Sequence, residues 1–80
     1  MEQKTITVWL IVRRNYKDDS EDVLSMHYSR FEAQRALKWH IAYAVRDGDE
    51  VEGHTQYEDP DVSFYIHPVD NFKFDYRNLQ

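Results

Sequence analysis

The stretch YSRFEAQRALKWHIAYAVRDG, Tyr28 to Gly48, carries the period of an amphipathic helix, and runs rich in β-branched residues flank it on both sides. A sheet built from those runs has two faces, and a single helix covers only one. The fold class that meets both conditions is α+β: an antiparallel sheet of three to four strands with one helix packed on one face, in the order ββαβ or ββαββ. Residues 1–80 form a single domain with room for one core.

TITVWLIVRR reads as the first strand, Thr5 to Arg14. Ile6, Val8, Leu10 and Val12 point one way; Thr7, Trp9, Ile11 and Arg13 point the other. NYKDDSED is a polar loop, and VLSMHY is the second strand, with Leu24, Met26 and Tyr28 on one face and Val23, Ser25 and His27 on the other. VSFYIHPV is a late strand: Val62, Phe64 and Ile66 share a face opposite Ser63, Tyr65 and His67. VEGHTQYE reads as a loop or a weak edge strand, EDPD as a turn, and FKFDY as a short final strand.

The helix boundaries have physical causes. Ser29 and Glu32 stand in the S-x-x-E spacing of a capping box, and Gly48 suits the left-handed residue that follows a helix C-terminus. On a helical wheel Ala33, Leu37, His40, Ile41 and Ala44 share the sheet-facing side. Trp39 falls roughly opposite Leu37, among Arg35, Lys38, Ala42 and Arg46, with Phe31 and Tyr43 on the flanks. Three readings of Trp39 stand at this point: the loop Asp47–Asp61, with its Tyr57, folds over it; the helix assignment is wrong; or it anchors a binding surface. Trp, Tyr and Arg are the residue types enriched at interface hot spots, which directs attention to Arg35, Trp39, Tyr43 and Arg46.

The charge is unevenly placed. The net charge is −5, yet Ser29 to Arg46 holds four basic residues and one acid, whereas residues 47–72 hold eight acids and no Lys or Arg. KDDSED adds four more acids. Acids in loops commonly do no more than keep a surface solvated. The functional reading is long-range steering of a basic partner, with Asp49, Glu50, Glu52, Glu58 and Asp59 as the contributing residues. Phosphate repulsion argues against direct nucleic-acid binding and favours a protein that itself binds nucleic acid.

A one-helix sheet also leaves a face uncovered. The expected outward residues are Trp9, Ile11, Val23, His27, Tyr65 and His67, an apolar and aromatic set for solvent. A second reading therefore makes the chain a structural homo-oligomer, a homodimer at simplest, through Trp9, Ile11, His27 and Tyr65. The C-terminal NFKFDYRNLQ is another candidate cover. A third reading is a small ligand- or metal-binding domain.

Signals for chemistry are poor. There is no cysteine, and the four histidines are spaced 13, 14 and 13 apart, so no H-x-x-x-H pair exists. The only glycines are Gly48 and Gly53, which excludes a glycine-rich phosphate loop. No catalytic residue, metal ligand set or cofactor motif is identified, and the chain is read as no enzyme. The apolar run Val8–Val12 is far shorter than the roughly 18 residues of a membrane span and lacks the flanks of a signal peptide, so a cytoplasmic location is expected.

The strand–loop–strand pattern, then Tyr28-Ser29 leading through Glu32-Ala33 into a helix, then acidic turns and a late strand, resembles small accessory proteins of bacteriophages and prophages. The resemblance covers about the first half of the chain. It implies a small, non-enzymatic protein, acting in the host cytoplasm, that binds and blocks host machinery such as restriction or CRISPR nucleases. Some such inhibitors imitate DNA by dense negative charge; the basic helix surface here departs from that pattern and implies a mixed interface with aromatic anchors.

Overall fold

The computed structural model describes residues 3–56 and 58–75. Its elements run β1 (Gln3–Asn15), β2 (Ser20–His27), α1 (Arg30–Arg46) and β3 (Val62–Asp75). The three strands form one antiparallel sheet in the order β2-β1-β3, with β1 central. The class and the ββαβ order are those expected from the sequence.

Local chemistry accounts for the connections. The β1–β2 loop is only Tyr16–Asp19, tighter than the polar segment implied. Asn15 Oδ1 accepts from the Lys17 N–H at 3.0 Å, Asp18 Oδ1 accepts from the Ser20 N–H at 3.1 Å, and Asp19 takes the left-handed conformation (φ 55°) that closes the turn. Ser29 caps α1, its Oγ accepting from the Glu32 N–H at 3.1 Å. At the other end Gly48 (φ 93°) completes a Schellman turn: its N–H reaches the Val45 carbonyl at 3.1 Å, and the Asp49 N–H reaches that of Ala44 at 3.0 Å.

Two bulges break the sheet's regularity. On the β2 side the register shifts between Ile11 and Val12, leaving Leu24 as the extra residue. On the β3 side Ile6 pairs Phe72 and Val8 pairs Val69, so Asp70 and Asn71 stand against Thr7. Asn71 absorbs the shift with φ 58°, and Thr7 Oγ1 donates to Asp70 Oδ1 at 3.0 Å. Across this bulge β3 runs on unbroken, so the expected separate strand FKFDY is the end of β3 as far as Asp75; Tyr76 lies outside the described residues.

The helix covers the face of β1 opposite to the one expected. Trp9 and Ile66 line a small cavity of about 290 Å³ with Arg30 and Gln34 of α1. Ile11 is fully buried opposite Ile66, while Ile41 and Phe64 pack on the cluster Ala44, Val51 and Val62. Trp9, Ile11 and His27 therefore face α1, and Val8, Leu10, Val12 and Met26 lie on the other face, left open by the helix, where Val8 and Val12 are nonetheless buried. The reason is physical: the central strand is apolar on both sides, so alternation alone cannot say which side the helix takes. Val23, Tyr65 and His67 do lie on the open face; for Val23 the Leu24 bulge is what turns it there.

The shape is elongated. The radius of gyration is 15.3 Å and the principal extents are 51 × 25 × 21 Å. A compact 80-residue domain has a radius near 12 Å. The cause lies in β1: β2 pairs only Trp9–Asn15, whereas β3 pairs β1 from Gln3 to Asn15, so Gln3–Val8 and Val69–Asp75 project as a two-stranded arm.

Candidate functional site

α1 buries its small residues and exposes its large ones. Ala33 and Ala44 are buried, Ala36, Leu37, His40 and Ile41 are half-buried, and Phe31, Trp39 and Tyr43 are exposed. Trp39 is 55% exposed. Its ring lies 4.1 Å from that of Tyr43, tilted by 43°, and 5.2 Å edge-on from that of His40. These contacts join residues one and four positions apart on the helix, so the backbone itself sets the stack. Arg46 lies over the Tyr43 ring and Arg35 over the Phe31 ring, each at 6.0 Å. The four residues singled out on the helix, Arg35, Trp39, Tyr43 and Arg46, thus share one surface, and Phe31, 68% exposed, extends it.

Among the described residues, the loop after the helix leaves Trp39 exposed. It is tied to β3 and to the hairpin end instead. Val51 is fully buried and bridges Val62, the Asp61 N–H donates to the Glu50 carbonyl at 2.8 Å, and the Tyr16 N–H donates to the Asp61 carbonyl at 2.9 Å. Burial of Val51 is what pulls the loop to the sheet. The expectation of a weak edge strand there reduces to this one bridge and a turn. Tyr57 lies outside the described residues. The helix assignment holds, and Trp39 stands exposed on it.

Beside Trp39 runs a shallow groove of about 350 Å³ lined by His27, Glu32, Arg35, Ala36 and Trp39. Sequence reasoning missed His27 here, because the β1 face was taken the wrong way round. The register Trp9↔His27 places it under the helix start, where Ser25 Oγ sits 2.8 Å from its Nε2. Burial, and then the charge of His27, holds the His40 imidazole below its ordinary value.

The acids singled out in the sequence fall into two groups. Asp49 and Glu50 are half-buried, and their main chains, not their carboxylates, bond at the helix C-terminus and the β3 start. Glu52, Glu58 and Asp59 are exposed. Glu52 Oε2 accepts from the Tyr16 hydroxyl at 2.6 Å, and Lys17 Nζ lies 3.4 Å from Asp61 Oδ1. The hairpin turn and the loop, two acidic segments far apart in the chain, thereby meet at one end of the molecule around a cavity of about 570 Å³ lined by Tyr16, Lys17, Glu52, Asp59, Pro60 and Asp61. Arg13 pairs with Asp22 at 3.0 Å and Arg14 with Asp19 at 2.8 Å. Asp18 is held below the usual carboxylate range by the Ser20 hydroxyl, so it stays charged.

The set proposed for self-association does not form one surface. Trp9, Ile11 and His27 face α1, whereas Tyr65 lies on the open face, its hydroxyl donating to Glu21 Oε2 at 2.8 Å. That bond is also the main cause raising the Tyr65 pKa. Among the described residues no three His, Asp or Glu side chains gather as a metal site would need, and no helix is long and apolar enough to cross a membrane. Comparison with protein-family models, curated proteins and solved structures finds no match to the chain.

Proposed function

We propose that the protein is a non-enzymatic protein-binding module that docks through the outer face of α1, of the kind phages use to inhibit host nucleic-acid-processing complexes. The observation that carries this reading is the exposed Trp39–Tyr43 stack, 4.1 Å between ring centroids, with Arg35 and Arg46 beside it. A large aromatic held by its own helix loses little freedom on binding and desolvates much area, which is how hot spots earn their energy. The acidic end supports a basic partner by steering, and Glu52, Glu58 and Asp59 are its exposed residues among those expected. Asp49 and Glu50 are half-buried and contribute less.

The test is capture from nuclease-treated bacterial lysate with tagged wild type and Trp39→Ala in parallel. Recovery of a nucleic-acid-processing complex in stoichiometric amount by wild type, weakened at least about 30-fold in Trp39→Ala with the fold intact, supports the reading. Equal recovery by both proteins sinks it. Neutralising Glu52, Glu58 and Asp59 should slow association chiefly at low salt; an unchanged on-rate removes the steering component.

A further inference from the structure

We propose that two copies of this chain pair through the free edge of the β1 arm, Gln3–Thr7, to join their sheets. Beyond Trp9 towards the N-terminus, β1 has β3 on one side and, among the described residues, no strand on the other. Val8 is fully buried at the base of the arm, so the backbone N–H and C=O groups open to a further strand are those of Gln3–Thr7 on that side.

The sheet's other two edges carry devices that discourage pairing. β3 has Pro68, which lacks an N–H, and the Asp70–Asn71 bulge with Asn71 at φ 58°. β2 has the Leu24 bulge and the exposed acids Glu21 and Asp22. The arm edge has none of these. Its sequence QKTIT is rich in β-branched residues and contains no proline, no acid and no bulged residue of its own.

The occupant follows from symmetry and charge. A two-fold antiparallel pairing sets the segment against itself, so it must be self-complementary. Here Thr5 and Thr7 share one face and Ile6 and Val8 the other. With the two-fold axis at Thr5, the centre of the arm, Thr5 falls opposite Thr5, a favourable cross-strand pair, Gln3 falls opposite Thr7, and Lys4 falls opposite Ile6. A basic partner would seek acids, and this edge has none. Room is available because β2 flanks β1 only from Trp9 onward, which leaves the two bodies at opposite ends of the joined arms. A lone two-stranded ribbon is marginally stable in water, and pairing converts it to a four-stranded sheet.

Sedimentation velocity over a wide concentration range tests this. The expected result is reversible doubling of the 9.7 kDa mass, with amides 3–7 gaining protection from hydrogen exchange as the dimer fills. Thr5 is exposed, so Thr5→Lys and Thr5→Glu should each leave the far-UV circular dichroism unchanged and give monomers, and their equimolar mixture should regain the dimer mass. A wild type that stays at 9.7 kDa at every concentration overturns the proposal. So does a dimer that survives both substitutions, or one in which amides 3–7 gain no protection.

Discussion

The two faces of α1 invert the usual arrangement. The inner face buries the alanines Ala33 and Ala44, with Leu37 and Ile41 half-buried beside them, while the outer face carries Phe31, Trp39 and Tyr43. Small inner residues let the helix lie close to Ile11, Phe64 and Ile66, and the bulk of that contact comes from the strands. Large outer residues contribute little to holding the fold together. The difference separates stability from recognition: the sheet supplies the core, and the helix presents the surface.

That separation yields a graded set of outcomes. Ile11→Ala removes the largest fully buried side chain among the described residues and should cost about 2–5 kcal/mol in urea unfolding. A loss near zero would mean that Ile11 does not lie beneath α1. Ala33→Leu forces bulk into the close contact and should cost about 1–3 kcal/mol, whereas the same change at exposed Ala42 should be almost silent. His40 links the two faces, since it is half-buried under the helix and touched by Trp39. Its folded pKa lies below the ordinary 6.5, so the unfolded chain binds the proton more readily. Stability should be complete above about pH 6.5, fall as pH drops through that value, and level off below the folded pKa; His40→Gln should flatten the slope of melting temperature against pH. Smallest of all, Trp39→Ala should shift stability by no more than about 0.5 kcal/mol. A cost of several kcal/mol there would erase the distinction between the faces.

The sequence made the element order, the helix and both of its ends legible, because each has a local cause: the period of Phe31–Val45, the Ser29 cap and the left-handed Gly48. The facing of β3 was legible too, since Ser63 and Tyr65 alternate with Val62 and Phe64. What escaped was non-local. β1 is apolar on both faces, so Trp9 and Ile11 gave no sign of which side α1 would take. The Leu24 and Asp70–Asn71 bulges depend on how three strands share one register, and no dipeptide announces them. The meeting of the two acidic segments depends on the Tyr16–Asp61 backbone bond, which spans most of the chain. Of the proposed surface, the cluster on α1 could be read from the wheel, and the groove contributed by His27 could not.

Of the four described elements the central strand is made before the others, and its longest ladder is with β3, made after them. During synthesis the hairpin and helix emerge as a local unit, able to form quickly because their contacts are close in sequence. Until Val62–Asp75 leaves the ribosome, β1 waits with one side unpaired and its apolar residues unshielded. Chaperone demand in the cell should therefore track the delay before β3 arrives, and a pause placed between the codons for Arg46 and Val62 should raise aggregation more than an equal pause placed before Ser29.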